Sequence, residues 1–254
     1  MLDWLLSMGL ATLTIFFVYA MIKKVLKRKW SNMRNVFGLI ISILYLGIVI
    51  VSAKIFEKAG KEASRKYIHI FASNWWIIVM IFFDNVYWVA VGPLIFVFIN
   101  YASYKFNIIK AMEREESERD GMGTVYYAIT IFILAIVCFG PLKQYKNVWG
   151  PLIGLAGVAV MGYADALAAI VGRSVKSPSY KIYTTTKTLA GSITMGVTTF
   201  IIISGFLAYC AIPNWFFKAI SIAIVDTVLE AISIRGTDNL TVPLATVGML
   251  LLVI

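Results

Sequence analysis

Four sets of polar residues interrupt an otherwise apolar chain, and each contains a residue type that can manage phosphate, a proton or a metal ion. The first is Asp165, inside Gly162-Tyr-Ala-Asp-Ala-Leu-Ala-Ala-Ile-Val-Gly-Arg173. In a helix, Gly162, Ala169 and Gly172 fall near the face that carries Asp165. That face lets another backbone or a ligand approach the carboxylate. A carboxylate inside an apolar span is costly and marks a functional site by default. The bland alternative is helix packing through small residues, with Asp165 bonded to a neighbouring helix.

The second set is Arg65-Lys66-Tyr-Ile-His69, which holds the one histidine of the chain. His69 lies one helical turn from Arg65. It can bind phosphate, act as a base, or simply bond a carbonyl, while Arg65 and Lys66 can equally anchor headgroups. The third is Lys187-Thr-Leu-Ala-Gly-Ser192. A lysine, hydroxyls and glycine at a helix start can cradle a phosphate, although the Walker A order is absent and an ordinary helix start would look the same. The fourth comprises Asp226, Glu230 and Asp238-Asn239. Acids one turn apart repel unless a cation or protons intervene. Such oxygen ligands suit Mg²⁺, which takes one or two carboxylates plus substrate phosphates; alternatively Glu230 pairs with Arg235.

The elements that hold these residues must be membrane helices. The chain has 254 residues, is 60% hydrophobic and 14% charged, and has a mean hydropathy of +0.84. Soluble domains are nearer half apolar and a quarter charged. The apolar runs have helical rather than barrel-strand lengths. The expected fold is an all-α, polytopic membrane bundle of about 8–9 transmembrane helices, with spans at Trp4–Ile22, Val36–Ala53, Tyr67–Phe83, Val86–Tyr104, Gly123–Leu142, Gly150–Gly172, Leu189–Cys210, a span reaching Ile232, and a short final one at Leu240–Ile254. One membrane domain covers residues 1–254, with N-terminal helices over 1–58 and the catalytic core over 60–250.

The net charge of +10 fits headgroups and the positive-inside rule rather than nucleic acid. The basic residues lean toward the connectors 54–66, 105–120, 173–187 and 233–239, although Lys23, Lys24, Lys27, Arg28, Lys29 and Arg34 pull the other way. These connectors adjoin every polar motif, so one site facing the cytosol is expected. The acidic run at 113–120 reads as a solvated face. Cys138 and Cys210 show neither disulfide nor metal-ligand spacing and read as packing residues.

Five pieces occur in an order that resembles the CTP-dependent polyprenol and lipid kinases: the dolichol kinase, phytol kinase and yeast-type diacylglycerol kinase group, distantly related to CDP-diacylglycerol synthase. They are Arg65-Lys66-x-x-His69; Gly123-Thr-Val-Tyr-Tyr127; Asp165-Ala-x-Ala-x-x-x-Gly172-Arg173; Lys187-Thr-x-x-Gly191-Ser192; and Glu230 followed by Gly236-x-Asp238-Asn239-Leu-Thr-x-Pro243. Two departures stand out. Gly162-Tyr-Ala precedes Asp165 where the group commonly has Gly-Asp, and Ala190 replaces a common Glu; either Asp226 supplies that acid or the activity is altered.

The resemblance implies transfer of the γ-phosphate of CTP, or of another nucleotide, to a lipid hydroxyl, with Mg²⁺ or a similar cation. Asp165, His69 and Lys187 become the catalytic candidates. Arg65, Lys66, Arg173, Thr188, Gly191, Ser192 and Asn239 become the phosphate or nucleotide contacts, and Asp165, Glu230 and Asp238 the metal ligands. The partners are a lipid alcohol, a nucleotide and membrane lipids, with no nucleic acid; the oligomeric state is left open. The alternatives are a cytidylyltransferase making a CDP-lipid, whose C-terminal Pro-Lys-Arg signature is missing, and a lipid or small-molecule transporter. Transporter sites sit near the midplane between repeats, and no repeat is visible.

Overall fold

The structure, a computed structural model, describes residues 33–56, 61–106, 122–183 and 185–254. The expected span Trp4–Ile22, the lysines and arginine of 23–29 and the acidic run 113–120 lie outside the described residues. Among those residues the chain forms eight helices and two short antiparallel hairpins: α1 Met33–Phe56, α2 Lys61–Phe82, α3 Val86–Phe106, α4 Gly123–Phe139, β1 Gln144–Tyr145, β2 Val148–Trp149, α5 Gly150–Ser174, β3 Ser179–Ile182, β4 Thr185–Thr188, α6 Leu189–Tyr209, α7 Trp215–Ile232 and α8 Asp238–Val253. The fold is all-α. Helices α1, α3, α5 and α6 are long and apolar enough to cross a membrane.

Helix α5 is the centre. Nearly every residue from Gly150 to Ala168 is buried, and α2, α4, α6 and α8 pack around it. The sequence provides for this with glycines where neighbours come closest. A Cβ on Gly154 would lie 2.5 Å from the Trp76 ring, and one on Gly162 would lie 2.1 Å from Ser73 Oγ. Trp76 is fully buried and its indole N–H donates to the Pro151 carbonyl at 2.8 Å, while Tyr163 Oη donates to Asn74 Oδ1 at 2.7 Å. These four contacts lock α2 against α5 along its length.

The middle of α5 is a π-helical turn, Val160–Ala164, and the α-helix resumes at Asp165. Such turns are rare and frequent at functional sites. Here it re-aims the helix one residue before the acid.

Helices α1 and α3 are apolar in a different way. Their outward residues include Ile43, Leu44, Ile48 and Val51 on α1 and Ile95 and Phe98 on α3, all exposed. Around water this would be a large sticky patch; around lipid it is an ordinary surface.

Several boundaries differ from the sequence expectation. Helix α2 begins at Lys61, so Arg65, Lys66 and His69 lie inside it. Helix α8 begins at Asp238, two residues before the apolar run, because an acid suits a helix N-terminus. The polar loop 173–187 contains the β3–β4 hairpin, which pairs Tyr180 with Lys187.

Candidate functional site

Two charged clusters meet where the ends of α2, α5, α7 and α8 converge with the hairpin. In the first, Lys66 Nζ donates to Asp165 Oδ2 at 2.5 Å, and His69 Nε2 lies 3.9 Å from the same oxygen. Lys66 and His69 are buried, with 4% and 8% of their surface exposed. A buried ion is costly unless it is paired, so this lysine and this acid depend on one another. The close approach at Gly162 and Ser73 brings α5 near enough to α2 for the pair to form. The His69 ring stands edge-on to Tyr127, with centroids 4.5 Å apart, and Tyr127 Oη bonds Ser73 Oγ at 2.8 Å and the His69 carbonyl at 3.3 Å. The ring position is therefore fixed from α4.

In the second cluster, Lys187 Nζ donates to Glu230 Oε1 and lies 3.8 Å from Asp238 Oδ2. Burial pulls the Lys187 pKa down, but Asp238, Glu230 and, more weakly, Asp165 pull it further up, so it sits above the ordinary lysine value. The influence of Asp165 on Lys187 ties the two clusters together. Asn239 links them structurally: its backbone N–H donates to Asp238 Oδ1 at 3.0 Å, its side-chain amide donates to the Gly123 carbonyl at 3.0 Å, and its own carbonyl accepts from Thr130 Oγ1 at 2.6 Å. A Cβ on Gly123 would lie 3.1 Å from that Asn239 amide nitrogen. The glycine lets α8 and α4 meet here.

Thr188 is the N-cap of α6. Its Oγ1 accepts from Gly191 N–H at 3.2 Å and donates to the Gly172 carbonyl at 3.3 Å. The Leu189 and Ala190 N–H groups are bonded to the Pro178 carbonyl and Ser177 Oγ, and Ser192 Oγ to Tyr180 Oη at 2.5 Å. Thr188, Gly191 and Ser192 therefore hold the hairpin against α6 and α5, and phosphate binding by these groups requires exchange of these bonds. The crossing is tight: a Cβ on Gly172 would lie 2.7 Å from Thr188 Oγ1. Arg173 is exposed in the last turn of α5. Asp226 is fully buried and accepts from Thr246 Oγ1 at 2.7 Å, so it braces α7 against α8 and is not drawn into the Lys187 cluster.

Among the described residues no three His, Cys, Asp or Glu side chains converge as a metal-ligand group. Asp165 faces Lys66, whereas Glu230 and Asp238 share one ammonium. Two carboxylates that converge on one cation can serve a divalent ion completed by substrate phosphates. Glu230 Oε2, buried without a hydrogen-bond partner among the described residues, is a spare oxygen for that purpose.

A cavity of about 540 Å³ runs from the first cluster between α1, α2, α3 and α4. Arg65, His69 and Asn239 line its polar end, and Trp75 and Trp88 its far end. Tyr127 and Asn100 also line it, although neither carried a role in the sequence reading. The signal was present for Tyr127, which closes the Gly123–Tyr127 motif.

Fold and site together define an all-α protein with a paired acid–base site at the head of an apolar cavity. The chain is 29% identical over 217 residues to the phytol kinase of a Synechocystis species, covering 80% of this chain and 85% of that protein. It is 28% identical over 209 residues to "Probable phytol kinase 1, chloroplastic" of Glycine max, covering 73% of this chain and 65% of that protein. No family model matches the chain, and no solved structure matches it significantly. The chain is thus similar to phytol kinases, one of the groups that its motifs resemble.

Proposed function

We propose that the protein is a membrane-embedded kinase that transfers the γ-phosphate of a nucleotide, CTP first among the candidates, to the hydroxyl of an isoprenoid alcohol. The observation that carries this reading is a pair of unlike clusters near the polar end of an apolar cavity: the first reaches it through Arg65 and His69, and the second adjoins it through Asn239, which lines the cavity and bonds Asp238. The first cluster combines one carboxylate with Lys66, His69 and Arg65 and adjoins the cavity. It suits the acceptor hydroxyl. The second combines Lys187 with Glu230 and Asp238. It suits a nucleotide with its metal.

In the reaction the acceptor oxygen bonds to the γ-phosphorus, and the bond from that phosphorus to the nucleoside diphosphate breaks. The hydroxyl proton passes to the Asp165 carboxylate. Lys66 and His69 hold that carboxylate in place, and Arg65 meets the charge gathering on the transferred phosphoryl oxygens. Lys187 exchanges its carboxylate partners for the phosphates of the leaving diphosphate. Mg²⁺ held by Glu230 and Asp238 would neutralise phosphate charge. Positioning and charge neutralisation are most of what phosphoryl transfer asks of a protein.

The exposed hairpin residue Lys181 and the site are read as cytosolic, where the nucleotide is. A cysteine at Lys181 should be labelled from that side by an impermeant reagent, and labelling only from the other side removes the orientation. The direct test is purified protein in vesicles with CTP, ATP, GTP or UTP and a panel of lipid alcohols. Phosphorylated isoprenoid alcohol is expected with at least one nucleotide. Phosphorylation of none of them, with flux of a lipid or small solute in the absence of nucleotide, would replace the kinase by a transporter.

A further inference from the structure

The apolar cavity has walls of unequal character. Helix α1 packs on α2 and α3 packs on α4, but among the described residues α1 and α3 make no extended contact with each other. The cavity therefore opens sideways between them, through lining residues such as Ile43 and Ile95 that are exposed. Two glycines face this space from opposite walls. A Cβ on Gly47 of α1 would meet nothing within 4 Å, and one on Gly92 of α3 would meet only the Trp75 ring at 3.6 Å.

Their depths differ. Tyr45 Oη donates to the Phe71 carbonyl and Ser52 bonds Tyr67, so Gly47 sits about one turn from the level of His69. Gly92 sits at the level of Trp75, roughly 9 Å beyond His69 at 1.5 Å per helical residue. From Arg65 to Trp75 the cavity follows α2 for roughly 15 Å, about half of a 30 Å hydrocarbon core.

We infer that Gly47 and Gly92 keep open a lateral cleft that admits one isoprenoid chain from the bilayer, and that the cleft measures that chain over about one leaflet. The occupant follows from continuity: the cleft leads to His69 and Arg65, so the group at its head is the one presented to Asp165. Its length suits a single chain with a hydroxyl at the polar end. This deepens the kinase reading and rests on it.

The experiment uses the full chain in vesicles with phytol and the shorter geraniol as acceptors, and with Gly205→Phe as control. Gly205 lies on α6 away from the cleft, with nothing within 4 Å of its added Cβ. Gly92→Leu fills the deep end. It should lower kcat/KM for phytol about tenfold or more relative to geraniol, the size expected when a pocket rejects excess apolar bulk. Gly47→Phe fills the cleft near the polar end and should depress both alcohols, through KM more than kcat. Nucleotide KM and Tm should stay near those of the parent protein, and Gly205→Phe should change nothing. An unchanged phytol-to-geraniol ratio in both cleft variants overturns the inference and leaves the kinase standing. A fall in Tm with no change in that ratio also overturns it, because the cleft is then filled by protein. If the parent protein phosphorylates no alcohol, the kinase reading is what has failed. Photocrosslinking of a diazirine-bearing isoprenoid alcohol then tests the cleft alone: labelling of α1 and α3, reduced in both variants, supports it, and undiminished labelling overturns it.

Discussion

The two charged clusters differ in sign, dryness and purpose. Around Asp165 one carboxylate faces Lys66 and His69 at the head of an apolar cavity. Around Lys187 one cation faces Glu230 and Asp238 beside a polar hairpin. The first has an excess of positive charge waiting for an anion, and the second an excess of negative charge waiting for a cation. A phosphoryl group drawn toward the first and a metal–nucleotide held at the second would lie between them. On the proposed reading, the contrast would let one helical bundle hold a lipid alcohol and a water-soluble nucleotide side by side.

The sharpest way to break this division is at Asp165. Asp165→Asn should cut turnover by on the order of a thousandfold, and it should also lower stability by about 3–5 kcal/mol, because Lys66 loses its buried partner. A second variant separates these effects. Lys66→Met with Asp165→Leu replaces the pair by apolar groups, so melting should recover while turnover stays lost. Near-normal activity in either would reduce Asp165 to a packing residue.

Lys187→Ala comes next. A loss of about a hundredfold in kcat/KM is expected, expressed in nucleotide KM and kcat and not in alcohol KM. Steady-state kinetics with each substrate varied in turn checks it, and an effect on the alcohol alone would merge the two clusters into one. His69→Gln is the mirror of that experiment. Turnover should fall by roughly ten- to a hundredfold, with alcohol KM raised and nucleotide KM nearly unchanged.

Glu230→Gln should raise the Mg²⁺ concentration needed for half-maximal rate while leaving the alcohol KM alone. A titration of rate against free Mg²⁺ decides it, and an unmoved curve removes Glu230 from the metal assignment.

The smallest effect concerns pH. Lys187 has a folded pKa above its unfolded value of 10.5. Its contribution to stability is fully present below that value and is lost as pH rises through the folded pKa. The difference in Tm between the parent protein and Lys187→Met should therefore be constant from neutral pH to about pH 10 and shrink above it.

Much of this arrangement was legible because charge is scarce in an apolar chain. Asp165, His69, Lys187, Glu230 and Asp238 each stand out against their neighbours, and the helix lengths follow from the apolar runs. Other features left weaker traces. The β3–β4 hairpin hides in a polar loop because its turn uses Tyr183 at positive φ instead of glycine, although the β-branched Thr185, Thr186 and Thr188 favour a strand. The π-helical turn before Asp165 has no residue signature. The pairing of Lys66 with Asp165 joins residues 99 positions apart, which no local pattern reports. Gly47 and Gly92 lie outside every motif and read as isolated glycines until the cavity places them on facing walls. Ala190, where a carboxylate was expected, remains without a replacement acid, since Asp226 is committed to Thr246.

The central claim is the transfer of a terminal phosphate to a lipid hydroxyl, and the position of a radiolabel tests it most directly. Purified protein in vesicles would be given an isoprenoid alcohol, Mg²⁺ and CTP labelled in either the α- or the γ-phosphate, and the lipid extract would be resolved. The account predicts γ-label in a lipid monophosphate, no α-label in any lipid, and loss of the product in Lys187→Ala. Label from the α-phosphate in the lipid fraction would contradict it and make the protein a cytidylyltransferase.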